Sequence, residues 1–132
     1  MKKILLLSVL LLTITFFGCK KDNNSFAYSL NDLYGEWHGT DVYVDGWVDI
    51  TKYPFTKYAF SIKFYKDGTY YGSGYFGNGS GTYKAEKKTI YTYVNGKEYY
   101  KYDIKEWNPS NKTAELIMSD SKSSIPIKVK KN

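Results

Sequence analysis

From Trp37 to the C-terminus, apolar and polar residues change places at nearly every second position. The runs are short and are punctuated by Gly, Asn, Asp and Pro. This is the patterning of half-buried strands joined by turns. Tyr58-Ala59-Phe60-Ser61-Ile62-Lys63-Phe64 is the clearest case, with Tyr58, Phe60, Ile62 and Phe64 on one face. Asp45-Gly46 separates Asp41–Val44 from Trp47–Ile50, and Asn95-Gly96 separates Thr89–Val94 from Lys97–Glu106. Both are tight hairpin signals. Lys66-Asp67-Gly68, Gly77-Asn78-Gly79-Ser80 and Glu86-Lys87-Lys88 mark further turns, and Asn108-Pro109-Ser110-Asn111 ends the long strand that precedes it. Ala114–Met118 and Ile125–Val129 complete the series. No long helical period occurs; a short helical turn is expected at Ser29–Leu33. The predicted fold is all-β, a small antiparallel up-and-down barrel of about eight strands, with a sandwich as the other solution.

Turn geometry predicts the inward residues. A two-residue loop at Asn95-Gly96 pairs Val94 with Lys97, Tyr93 with Glu98, Tyr91 with Tyr100 and Thr89 with Tyr102. Tyr91, Tyr93, Tyr100, Tyr102 and Ile104 then share the interior face. A three-residue loop at Asp67-Gly68 pairs Tyr65 with Thr69 and turns Gly72 and Gly74 inward, opposite Ile62 and Phe60. Glycines there leave room for a cavity or a bend in the wall. A one-residue slip would reverse each set.

Leu33-Tyr34-Gly35-Glu36-Trp37 places a Gly-x-Trp at the start of the first strand, after a helical turn. Together with Phe64-Tyr65-Lys66-Asp67-Gly68-Thr69-Tyr70 and Gly81-Thr82-Tyr83, it resembles small lipocalin-like domains. The resemblance implies that Gly35 allows a close turn and that Trp37 packs across one end of a barrel. In that family an Arg from the last strand region packs on the Trp. This chain has no Arg, and Lys128 or Lys130 is the candidate stand-in.

The N-terminal end differs in kind. Lys2 and Lys3 precede fourteen residues, Ile4 to Phe17, almost all apolar, followed by Gly18 and the one cysteine, Cys19. A membrane-spanning helix needs about twenty apolar residues, so this run reads as a secretory signal. Gly18-Cys19 resembles the lipobox of bacterial lipoproteins. That resemblance implies cleavage before Cys19, acylation of its thiol, and attachment to a membrane. Lys20, where a retaining Asp would stand, implies the outer membrane, facing the periplasm or the surface. The expected organisation is a signal peptide over 1–18, a tether over 19–27 and a barrel over 28–132.

Composition narrows the chemistry. Without Lys2 and Lys3 the formal charge falls from +6 to +4, and the lysines are scattered among acids. This is not the clustered Lys/Arg surface of a nucleic-acid reader. With Cys19 acylated no disulfide is available. His38 is the sole histidine and no cysteine cluster accompanies it, so no metal site and no cofactor are expected. No Ser-centred elbow, Walker loop or dinucleotide fingerprint occurs, and no enzyme is expected. The fifteen tyrosines suit strands and half-wet surfaces. Two functions fit. One is a lipid-anchored module binding a small apolar or aromatic-stacking ligand, with Phe60, Phe64, Tyr91, Tyr93, Tyr100 and Tyr102 as candidate lining. The other is an envelope interaction protein with a filled barrel, meeting a protein or glycan through exposed aromatics such as Trp47 and Tyr99.

Overall fold

The computed structural model describes residues 25–132. The expected signal segment, Cys19 and most of the expected tether lie outside the described residues. A short helix, α1 (Leu30–Leu33), precedes the strands. These are β1 (Gly35–Tyr43), β2 (Trp47–Asp49), β3 (Phe60–Phe64), β4 (Thr69–Gly74), β5 (Gly79–Glu86), β6 (Thr89–Val94), β7 (Lys97–Asn108), β8 (Thr113–Ser119) and β9 (Ser124–Lys131). From β3 onward each strand pairs with the next, all antiparallel, and β9 returns to pair with β1. Eight strands therefore close a barrel, as the strand and turn patterning predicts. β2 stands outside the ring, paired only with the far end of β1 through Asp41–Tyr43. Closure removes the exposed strand edges that an open sheet would present.

The hairpin turns behave as their residues dictate. Asn95 and Gly96 both take positive φ, 54° and 79°, as a two-residue turn of the favoured hand requires. At the Asp67-Gly68 turn the three-residue register holds, with Phe60 opposite Gly74, Ile62 opposite Gly72 and Phe64 opposite Tyr70. The Asp67 carboxylate accepts the backbone N–H of Thr69 at 3.0 Å and its hydroxyl at 2.6 Å.

Alternation of hairpins sorts the loops between two ends. The turns after β3, β5 and β7 gather with α1 at one end. The β1–β2 hairpin, the 50–59 segment and the turns after β4, β6 and β8 gather at the other, the mouth. The chain joins the barrel at the first end, where Phe26 bridges to Lys87 and the Ala27 N–H donates to the Lys87 carbonyl at 2.7 Å.

That end is closed by packing. Leu33, Trp37, Phe64, Ile90, Leu116 and Val129 are buried, and the void among them is only about 10 Å³. Trp37 is 3 % exposed and its indole N–H donates to the Leu33 carbonyl at 2.9 Å. Trp107 lies 5.4 Å from the Trp37 ring and stacks on Tyr28 at 5.3 Å. It reaches this position because β7 carries one extra residue against β8, between Ile104 and Glu106. The bulge leaves Glu106 in solvent and turns Trp107 toward the core.

The cation on Trp37 is Lys131, not Lys128 or Lys130. The register sets Trp37 directly opposite Lys131, so the two side chains share the inner face. Lys128 and Lys130 have the other parity and point outward. The Lys131 ammonium lies 5.7 Å over the Trp37 ring and donates to the carbonyls of Asp32 at 2.8 Å and Tyr34 at 3.1 Å. It therefore caps the C-terminal end of α1 while covering the indole. Gly35, at φ +124°, runs close beneath the same lysine, as its expected role in the turn requires. Lys131→Ala is expected to lower the unfolding free energy in urea by about 1–3 kcal/mol, since it removes two charged hydrogen bonds and a cation–π contact. Lys130→Ala should stay within about 0.5 kcal/mol of the parent.

Candidate functional site

The mouth is built differently. A groove of about 580 Å³ lies between the β1–β2 hairpin, the 50–59 segment, the β4–β5 turn and the β8–β9 turn. Val42, Val44, Val48, Phe55, Tyr58, Tyr75, Phe76 and Ile125 line it, with Ser123 and Ser124. Beside it, at the β4–β5 side of the wall, is a second open space of about 200 Å³, lined by Phe60, Ile62, Tyr70, Phe76, Tyr100, Tyr102 and Met118 and by the polar Ser61, Ser73 and Asn78. Phe76 borders both spaces. No charged side chain lines either one.

An aromatic series runs from rim to interior. Phe55 stacks near Tyr58, Tyr58 meets Tyr75 edge-on at 4.9 Å, Tyr75 meets Phe76 at 5.1 Å, and Phe76 meets Phe60 at 5.0 Å. Edge-to-face contacts of this kind hold rings in fixed relative poses. The Tyr75 N–H donates to the Ala59 carbonyl at 2.9 Å, and Asn78 Oδ1 accepts the Gly74 N–H at 3.0 Å, so the turn carrying Tyr75 and Phe76 is tied to the wall. Two glycines lie along this wall. A Cβ at Gly39 would overlap the Phe60 ring, and one at Gly72 would sit 3.8 Å from the Tyr70 ring, at the edge of the space both residues line.

The inward tyrosines depend on a second bulge in β7. Near the turn the expected pairs form, Val94 with Lys97 and Tyr93 with Glu98. Beyond them Tyr91 pairs with Lys101 and Ile90 with Tyr102, so Tyr99 and Tyr100 together oppose Thr92. Thr92 is fully buried, and its hydroxyl answers both backbone groups that the bulge would strand. It donates to the Tyr100 carbonyl at 2.6 Å and accepts the Tyr100 N–H at 3.1 Å. The added residue shifts the pairing of everything beyond it by one.

This corrects the predicted interior. Tyr91 and Tyr93 do not face inward; they are half-buried on the outer side, and Ile90 and Thr92 hold the inner positions. Tyr102 and Ile104 are buried as expected, and Tyr100 lines the second space half-buried. Phe60 also lines that space. Phe64 is inward but at the closed end, 4.9 Å from Tyr83, and takes no part in the mouth. Gly74 is exposed, with φ +104°, and serves the bend at Ala59 instead of cavity space. His38 lies on the outer side of β1 between Ser61 and Lys130, as alternation from Trp37 requires. Sequence reasoning missed Phe55, Tyr58, Tyr75 and Phe76 as site residues. Their signal, aromatics flanking turn residues, is local and says nothing about which loops meet.

Burial governs the phenols. It raises the pKa values of Tyr70, Tyr100 and Tyr102, and the clustered phenols add to the effect at Tyr102. At Tyr70 the neighbouring Thr92 hydroxyl opposes it in part. Tyr83, whose O–H donates to the Tyr65 carbonyl at 2.8 Å, is pushed up to about 12 by burial and then by Tyr34 and Asp67. All four are therefore neutral donors at ordinary pH.

A phenol that holds its proton more tightly when folded contributes stability that is complete below its unfolded value near 10 and is lost as pH rises through the folded value. Stability should therefore fall across about pH 10–12 and above. Tyr83 and Tyr102 should ionise only with unfolding, as tyrosinate absorbance against circular dichroism will read. Thr92→Val keeps the volume but strands the Tyr100 N–H and carbonyl; a loss of about 1–3 kcal/mol is expected in urea unfolding. In comparisons with known proteins, no family model, no curated protein and no solved structure matches this chain.

Proposed function

We propose that this chain is a lipid-anchored envelope protein whose lipocalin-like barrel takes a small apolar or aromatic-stacking ligand through its mouth. One observation carries the reading: the two ends of the barrel are built oppositely. One is packed to a void of about 10 Å³, and the other holds a groove of about 580 Å³ beside an open space of about 200 Å³. Barrel mouths of this apolar, aromatic-lined kind are common ligand sites. Among the described residues no group of His, Cys, Asp or Glu is arranged to hold a metal ion, and the mouth offers stacking surfaces and neutral donors.

The anchor rests on the Gly18-Cys19 resemblance. No helix among the described residues is long and apolar enough to cross a membrane. On this reading the lipid joins the barrel at its closed end, where Phe26 meets Lys87, and the mouth is turned away from the anchoring membrane. Lys20 favours the outer membrane.

The interaction-protein reading draws on a separate feature. Trp47 and Tyr43 pack edge-on at 5.4 Å on the outer wall, with the Lys128 ammonium 4.3 Å over the Trp47 ring, and both aromatics stay exposed. An exposed aromatic pair of this kind suits a glycan or a protein.

Native mass spectrometry of protein taken from its own envelope separates the two. A co-purifying small molecule is the expected result; a bare mass with a bound protein partner would overturn the ligand reading. Cys19→Ser is expected to move the protein from the membrane to the soluble fraction. A mutant that stays uncleaved and membrane-bound would sink the anchor.

A further inference from the structure

The two ends of the barrel differ in charge as well as in packing. At the closed end the turns after β3, β5 and β7 hold Lys66, Lys87, Lys88 and Lys112, all exposed, against one acid, Asp67. α1 adds Asp32. The other acids there have basic neighbours. Glu86 pairs with Lys84 at 3.1 Å, Glu36 stands opposite Lys63 in the β1–β3 register, and Glu106 follows Lys105 on β7. Lys131 is engaged over Trp37. At the mouth the balance is even, with Lys52, Lys57, Lys97 and Lys122 interleaved with Asp45, Asp49, Glu98 and Asp120. The closed end also exposes two apolar side chains among its lysines, Leu30 at 42 % and Tyr65 at 40 %.

The chain enters at this same end. Phe26 bridges to Lys87, and the Lys87 N–H donates to the Ser25 carbonyl at 2.9 Å. Six residues, 19–24, separate this point from an acylated Cys19 and include Cys19 itself. A chain of that length spans at most about 20 Å. An anchor at Cys19 therefore keeps the turn lysines within about 20 Å of the headgroups, while the length of the strands holds the mouth farther off. Confinement raises the effective concentration of the lysines at the surface, so a patch too weak to bind from solution suffices. Lysines attract anionic headgroups within about a Debye length, roughly 8 Å at physiological salt.

Resting on the anchor reading above, we propose that the closed end is a lipid-surface contact, with Lys66, Lys87, Lys88 and Lys112 on anionic headgroups and Leu30 and Tyr65 at the headgroup layer. The acyl group tethers the protein, and the turn lysines orient it. Two points of attachment replace one, so the barrel stands on the membrane with its mouth directed away from it.

The test uses the acylated protein in nanodiscs of phosphatidylcholine alone, or of one phosphatidylglycerol to three phosphatidylcholine, each doped with a gadolinium-chelating lipid. Paramagnetic broadening is read by NMR at Leu30, Tyr65 and Lys112 for the closed end and at Val44 and Tyr75 for the mouth. With phosphatidylglycerol, broadening is expected at the closed end alone. In the neutral discs the difference between the ends should shrink, as the protein turns on its tether. Raising the salt from about 0.1 M to about 1 M shortens the Debye length from about 10 Å to about 3 Å and should shrink it likewise. In a variant carrying Lys66→Gln, Lys87→Asn and Lys112→Asn, each lysine removed should lower the ratio of docked to free protein about fivefold. Asn suits the positive φ of Lys87 and Lys112.

The same pattern in both kinds of disc, or one that salt does not move, would overturn the headgroup contact and leave the anchor in place. So would broadening centred on the mouth, or an unchanged pattern in the folded triple variant. Should that variant fail to fold, the salt series on the parent decides alone. A protein that does not co-elute with the discs would sink the anchor reading, and this proposal with it.

Discussion

The pairing of β1 with β9, which sets Trp37 opposite Lys131, is the contact on which the rest of the molecule depends. It closes the ring, and closure creates an interior. The same register brings a cation from the end of the last strand over the indole at the start of the first. There it binds the carbonyls at the end of α1. One lysine thus joins the two termini of the barrel and seals one end. With that end packed, whatever space the interior retains opens at the other.

Two bulges in β7 then decide what the interior contains. A strand that crosses the whole barrel with strict alternation would bury one parity throughout. Between Ile104 and Glu106 the extra residue changes parity so that Trp107 is half-buried against the core and Glu106 is exposed. Opposite Thr92 the second extra residue turns both Tyr99 and Tyr100 toward the smaller open space and holds Tyr102 inward. Thr92 makes that bulge affordable, because its hydroxyl takes over the two backbone bonds that the ladder loses there. Tyr99, Tyr100 and Tyr102 meet there, alongside Ser61, Ser73 and Asn78, because of this local break in an otherwise regular sheet.

The asymmetry between the ends extends to the surface. Val44, Tyr53, Phe55, Tyr75 and Tyr99 remain exposed around the mouth. The charged residues lie on the outer wall and in the turns, and the ion pair between Lys84 and Glu86, at 3.1 Å, is on the outside of β5. At the rim the Lys57 ammonium lies 5.2 Å over the Tyr58 ring, so the aromatic mouth carries a cation beside it. Gly39 gives up a side chain so that Phe60 fits across the wall.

What the sequence determined by itself is local. Alternation, the turn residues at Asp67-Gly68 and Asn95-Gly96, and the Gly-x-Trp before the first strand suffice for an antiparallel series of hairpins and for the registers beside those two turns, with barrel and sandwich both able to satisfy them. The reason is that each signal acts over a few residues of one chain segment. The tertiary structure alone decided three things. Lys131 lies on Trp37 because closure sets the parity of β9, and neither Lys128 nor Lys130 shares that parity. Tyr91 and Tyr93 face outward because a bulge, invisible to a period-two reading, moved the pairing beyond it by one residue. Phe55, Tyr58, Tyr75 and Phe76 form one wall because loops distant along the chain converge at the same end of a closed barrel, and convergence is a property of the ring, not of any segment in it.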